Sequence, residues 1–177
     1  HRMRAIADAV LVGANTVLHD DPQLTVRLCA GAHPVRVVID PERRLDGHQR
    51  VFRDGAAPAL LLVAADRAAQ GAQQGLAEVV PVPRGADGTL DPHAIRQLLA
   101  QRGLAWLFIE GGGVTVSRFL AAGALDRLQI TVAPVILGSG RPGIALPEIT
   151  DLGHSLRPRT RRFTLGDVVM IECDFRG

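Results

Sequence analysis

Lysine and tyrosine do not occur in the chain, and all 20 basic side chains are arginine. Without lysine there is no Schiff-base nucleophile, no P-loop lysine and no Ser-Lys dyad. Without tyrosine, and with only 3% aromatic residues, the stacking surface that single-strand nucleic-acid binders use is missing. A formal net charge of +2 adds no dense basic face for a phosphate backbone, so nucleic acid is not an expected partner. Only Cys29 and Cys173 could pair, and neither CxxC spacing nor a nearby histidine pair accompanies them, which argues against a disulfide framework or a metal site. No apolar run reaches the roughly 18 residues of a membrane span, and the first residues lack a signal-peptide layout. A cytoplasmic protein without a membrane partner is expected.

What is present reads as one α/β domain over residues 1–177. Short apolar runs bounded by turn residues predict strands at 9–12, 34–40, 58–64, 78–82 and 105–110. Segments 66–75 and 91–102 open with a capping aspartate and predict helices, and a third helix follows the glycines at 111–113 through Ala122. The opening HRMRAIAD looks helical, and ANTVLHDDP predicts a short helical turn stopped by Pro22. Strands that are apolar throughout, alternating with helices, imply a mostly parallel sheet covered on both faces. The last third changes character: a long strand at 125–137, a Gly/Pro-rich loop to about 156, and a hairpin turning at Gly166-Asp167 imply an antiparallel C-terminal edge.

In such sheets ligands bind beyond the carboxyl ends of the strands. Three segments fall there: GANTVLHDDPQLTVR, DPERR and EGGGVTVS. Three consecutive glycines exceed what a strand-to-helix turn needs, and they suit a phosphate approaching backbone N–H groups, although the spacing is not the dinucleotide fingerprint. Arg43 and Arg44 are either a clamp for a 2′-phosphate or a solvated basic loop. Asp20 and Asp21 precede proline, where aspartate ordinarily serves the turn, yet paired carboxylates also supply proton donors. Glu110, closing an apolar strand, is either a solvated terminus or a site ligand.

The segments DAVLVGANTVLHDDPQLTVR and IEGGGVTVSRFLAAGALDRLQITVAPVILGSGRP, in that order, resemble the pyrimidine reductase domain of riboflavin biosynthesis, the C-terminal half of the bifunctional deaminase/reductase. The resemblance implies a dihydrofolate-reductase-like fold: a mixed, mostly parallel central sheet, helices on both faces and an antiparallel C-terminal hairpin. It also implies NADPH-dependent reduction of the ribosyl group of an aminopyrimidine ribosylamine 5′-phosphate to a ribitylamino product. By resemblance, Thr16 and Asp20 contact NADPH, as does the loop Gly112, Gly113, Val114, Thr115, Val116 and Ser117. Arg4, Leu24, Arg27 and Glu110 contact the substrate, Arg4 and Arg27 at its phosphate; Asp20 and Glu110 are the candidate catalytic residues. Arg43 and Arg44 enter by analogy with a 2′-phosphate loop. The resemblance further implies a homodimer and an N-terminal segment of a few tens of residues, bearing a central strand, ahead of the helix that holds Arg4. The deaminase zinc signature is absent. The alternatives are a paralogue of the same fold acting on another pterin or pyrimidine, and a non-catalytic nucleotide-binding module.

Overall fold

The computed structural model describes residues 1–70 and 72–176, without the side chains of 69 and 70. Five α-helices occur among them: α1 (Arg2–Ile6), α2 (Ala14–Asp20), α3 (Arg50–Arg53), α4 (Pro92–Gln101) and α5 (Gly113–Ala121). The strands are β1 (Ala9–Gly13), β2 (Val35–Ile39), β3 (Ala59–Ala64), β4 (Gln73–Gln74), β5 (Ala77–Val82), β6 (Leu107–Ile109), β7 (Arg127–Val132), β8 (Arg159–Leu165) and β9 (Val168–Asp174). Six strands form one sheet in the order β4-β5-β3-β2-β1-β6, parallel except for β4.

The expected parallel α/β core is present, and its sidedness follows from the two-residue repeat of strands. Ala9, Leu11, Val37, Ile39, Leu60 and Leu62 pack with Ile95 and Leu99 of α4 and Phe119 of α5. Val10, Val12, Val38, Leu61 and Val63 pack with Ala14 and Val17 of α2 and Val51 and Phe52 of α3. Helix α4 starts as its sequence demands: Asp91 is the N-cap, its carboxylate accepts from His93 N at 2.9 Å, and Pro92 takes a first-turn position where no N–H is needed.

Three expectations differ. The helix expected over 66–75 is a 3-10 helix at Ala65–Gln70 followed by β4; Gly71 lies outside the described residues. Pairing of Gln73 and Gln74 with β5 takes the backbone groups a helix would have used, and Arg67 and Asp66 are drawn into ion pairs with Glu42 and Arg84. The strand expected over 125–137 ends at Val132, before Pro134. The C-terminal strands form their own antiparallel sheet, ordered β7-β9-β8, instead of an edge of the main one. In that sheet β7 pairs with β9, while β6 pairs with β1.

Arg36 is a charged residue inside the apolar core. On β2 and only 1% exposed, it donates to Asp54 Oδ1 at 2.6 Å and to the carbonyl of Ala57. This pins the end of α3 to the sheet. Replacing Asp54 by Ala strands a buried cation and is expected to lower unfolding free energy by about 3–5 kcal/mol, read from denaturant titration; an Arg36→Met/Asp54→Ala double variant should recover part of that loss. In the smaller sheet, hydrogen bonds from Arg161 and then Gln129 hold the Glu172 carboxyl below its ordinary range. A depressed carboxyl pKa stabilises the fold above the unfolded-state value and loses that contribution as pH falls through the folded one. Acidification is therefore expected to speed hydrogen exchange of the β8–β9 amides, and Glu172→Gln should remove that pH dependence.

Candidate active site

Strand β1 is where the order of the sheet reverses. Its chain-successor β2 lies on one side, and β6, from the far half of the sequence, lies on the other. The helices that follow β1 and β6 leave toward opposite faces, since α2 packs in one core cluster and α5 in the other. A crevice opens at such a switch point, beyond the carboxyl ends of the two strands. The segments GANT and EGGG sit there.

Gly13, at the start of α2, lies against α5: a Cβ at Gly13 would stand 2.8 Å from Thr115 Oγ1. Across the crevice, Thr16 Oγ1 lies 3.4 Å from where a Gly111 Cβ would be and 3.9 Å from that of Gly112. The three glycines have separate reasons. Gly111 has φ +152°, a conformation side chains disfavour. Gly113 is required by packing: a Cβ there would meet the Pro142 carbonyl oxygen at 2.3 Å and that of Gly143 at 2.7 Å. Gly112 is the N-cap of α5 and meets no such obstruction, so it carries the open approach to the crevice. Ser117, 6% exposed, anchors the same crossing loop by accepting from Ala145 N at 2.8 Å. Val114 is 60% exposed and Val116 is half-buried.

The two aspartates separate. Asp21, the left-handed C-cap of α2, accepts from Arg50 N at 2.8 Å and from Arg50 Nε, so it braces α3. Asp20 is exposed, one turn from Thr16, and its carboxylate meets no hydrogen-bond donor among the described residues.

Glu110 follows β6, its N–H bonded to Leu11 O at 2.9 Å. Its carboxylate is held by Arg4 of α1 through two parallel bonds: Nε donates to Oε2 at 2.5 Å and Nη2 to Oε1. Arg4 Nη1 donates to the Thr25 carbonyl at 3.0 Å. Arg27 stands two residues on, exposed, its Nη1 donating to Gln23 Oε1 at 2.9 Å and Thr25 Oγ1 at 3.1 Å. Leu24, between Gln23 and Thr25, is 2% exposed with φ +56°, and its side chain belongs to the core cluster of α2.

The neighbouring arginines 43 and 44 diverge. Arg43 has φ +53° and donates to Gln74 Oε1 and to the carbonyls of Arg67 and Gln73, which ties it to the segment after β3. Arg44 is half-exposed and reaches α2, donating to Asn15 Oδ1 at 2.9 Å and lying 3.6 Å from Asp40. The structure thus sets Thr16 beside Gly111 and Gly112 and links Glu110, Arg4, Thr25 and Arg27 by hydrogen bonds; Asp20 ends α2, Arg44 reaches Asn15 at its start, and Arg43 serves the loop after β3. Three further residues escaped the sequence reading: Gln23, Thr25 and the fully buried Asp40, whose Oδ1 accepts no hydrogen bond. Leu24, Thr25 and Val26 are all buried in a segment that is neither helix nor strand, so no periodic signal in the sequence marked Gln23 or Thr25. Among the described residues no group of acidic, His or Cys side chains could hold a metal ion, and no helix is long and apolar enough to cross a membrane.

Known proteins resemble the chain over nearly its whole length. The RibD C-terminal domain family matches residues 1–166. The 2,5-diamino-6-ribosylamino-4(3H)-pyrimidinone 5′-phosphate reductase of Methanothermobacter thermautotrophicus is 32% identical, the match covering 100% of this chain and 84% of that protein. The riboflavin biosynthesis protein RibD of Aquifex aeolicus is 31% identical over 97% of this chain and 47% of its own length. Among solved structures, the deaminase/5-amino-6-(5-phosphoribosylamino)uracil reductase of Thermotoga maritima aligns with a TM-score of 0.79 at 27% identity, over 98% of this chain and 47% of that one. The chain thus spans about half the length of the RibD relatives. With the expected α/β fold, the switch-point crevice and a family match over nearly its whole length, the chain belongs to the RibD C-terminal domain family.

Proposed function

We propose that the chain is an NADPH-dependent reductase of riboflavin biosynthesis. Its substrate is an aminopyrimidine ribosylamine 5′-phosphate, 5-amino-6-(5-phosphoribosylamino)uracil or its 2,5-diamino precursor, and its product the ribitylamino compound. The observation that carries this reading is the hydrogen-bonded set of Glu110, Arg4, Thr25 and Arg27 after strands that end at one switch point with an open glycine N-cap. Family membership and the reductase named among its relatives support it.

The residues suit a nicotinamide dinucleotide: Gly112 would leave backbone N–H groups approachable at the start of α5, with Thr16 opposite and Arg44 reaching Asn15 of α2. NADPH, when bound, supplies the hydride. The protein then orients the reactants and places charge. Reduction at the sugar C1′ requires the ring to open: the ring oxygen takes up a proton and the C1′–N bond becomes a protonated imine that accepts hydride. Glu110, fixed beside the substrate, favours that cation electrostatically. Asp20, exposed and without a hydrogen-bond donor among the described residues, exchanges the proton. Arg27 binds the 5′-phosphate through Nε and Nη2, which meet no protein acceptor among the described residues.

The working state is taken to be a cytoplasmic homodimer, joined through the C-terminal strands. Register puts Leu128, Ile130 and Val132 of β7 on one face with Cys173, Ile171 and Val169 of β9, and Val132 and Val169 are 54% and 40% exposed.

Incubation with NADPH and the phosphorylated pyrimidine should consume NADPH and yield the ribitylamino product, identified by mass spectrometry; absence of turnover with both pyrimidines would refute the reading. Glu110→Gln, which keeps shape and removes charge, is expected to lower kcat by about tenfold or more. For the cofactor, NADPH should raise the melting midpoint more than NADH, and Arg44→Ala should remove most of that difference while Arg43→Ala leaves it. Equal shifts with both cofactors would exclude Arg44 as the 2′-phosphate contact.

A further inference from the structure

The turn after β2 is built around Asp40. Its carbonyl accepts from Arg43 N at 3.0 Å and its Oδ2 from Leu45 N at 2.8 Å, so one residue closes the backbone on either side of Arg44. The Pro41 carbonyl accepts from Ala64 N at 3.1 Å and the Leu45 carbonyl from Gln74 Nε2 at 2.7 Å, which ties the turn to the end of β3 and to β4. Leu45 is 2% exposed, and the Arg44 side chain stands out beside it half-exposed.

Two oxygens meet the Arg44 guanidinium. Nη2 donates to Asn15 Oδ1 at 2.9 Å, and Nε lies 3.6 Å from Asp40 Oδ1. Asp40 is fully buried, and that Oδ1 accepts no hydrogen bond among the described residues. Desolvating a carboxylate is costly unless a cation compensates it, and Arg44 is the cation paired with Asp40 among the described residues. The guanidinium is therefore held at two corners, while Nη1 meets no protein acceptor among the described residues.

We propose that Asn15 and Asp40 are positioning residues for the cofactor: they hold the Arg44 fork so that its free edge receives the 2′-phosphate of the adenosine half, and they thereby set the preference for the phosphorylated dinucleotide. This rests on the cofactor reading above, in which Arg44 is the 2′-phosphate contact. A long side chain ordered before binding loses less freedom on meeting its ligand, so the hold on Arg44 becomes affinity. Asp40 separates this role from plain charge. If charge alone mattered, removing an anion beside Arg44 would strengthen phosphate binding. If Asp40 positions Arg44, removing it weakens phosphate binding although the site gains positive charge.

Adenosine 2′,5′-bisphosphate and adenosine 5′-monophosphate differ only in the 2′-phosphate. Titrated calorimetrically, their affinity ratio isolates that contact and cancels damage to the rest of the site. The unsubstituted chain is expected to favour the bisphosphate by about tenfold or more, and Arg44→Ala to remove that preference. Asn15→Ala and Asp40→Asn should each lower the ratio by about threefold or more, with 5′-monophosphate affinity within about twofold. Asparagine at 40 keeps an oxygen to accept from Leu45 N, so the turn stays closed. With the phosphorylated pyrimidine, both variants should raise KM for NADPH and leave that for NADH.

The proposal is overturned, with the cofactor reading intact, if Arg44→Ala removes the preference while Asn15→Ala or Asp40→Asn leaves the ratio unchanged, or if Asp40→Asn tightens the bisphosphate. It falls together with the Arg44 assignment if the unsubstituted chain does not distinguish the two nucleotides. Should Asp40→Asn fail to fold, Asn15→Ala, at an exposed side chain, carries the comparison. The expected ratios without any turnover of the pyrimidines would sustain the positioning role and defeat the reductase reading alone.

Discussion

The parallel pairing of β1 with both β2 and β6 is the constraint on which the rest depends. Strand β1, apolar on both faces, must be covered by helices on both. Since its two neighbours come from opposite halves of the chain, the helices that follow β1 and β6 depart in opposite directions. The crevice between them is a consequence of topology, and the residues immediately after the two strands inherit it. The same pairing places Glu110 N on Leu11 O, which fixes the carboxylate at the mouth of the crevice.

A chain without lysine assigns all its cationic work to arginine, and the structure shows how different those tasks are. Arg36 is buried and joins a helix end to the sheet. Arg43 organises the loop after β3, while Arg44, the next residue, reaches α2. Arg4 is forked onto a carboxylate, and Arg27 keeps donors to spare. The planar guanidinium suits each of these because it makes several directed bonds at once, and burial decides which of them remain for a ligand.

The glycine turn shows how one motif can carry unrelated demands. Backbone conformation accounts for Gly111 and the crossing of Pro142 and Gly143 for Gly113, which leaves Gly112 as the position whose openness packing does not explain. The run of three therefore argues less strongly for a phosphate than its composition suggests. Its place beside Thr16 argues more strongly, because that neighbour comes from another strand's end.

The five parallel strands and the capped helix at Asp91 were legible in the sequence. They depend on short-range properties: apolar periodicity and a cap two residues from its partner. The helix expected at 66–75 failed where a neighbouring strand competed for its backbone, and local propensity contains no term for that. The separation of Asp20 from Asp21 and of Arg43 from Arg44 was equally out of reach. Each pair is chemically alike and adjacent in sequence, and differs only in what the fold sets against it. The sequence by itself determined which elements form and which residues crowd the strand ends. Only the tertiary structure decided which charges are already satisfied, because the partner of Arg4 lies 106 residues away and is chosen by strand order.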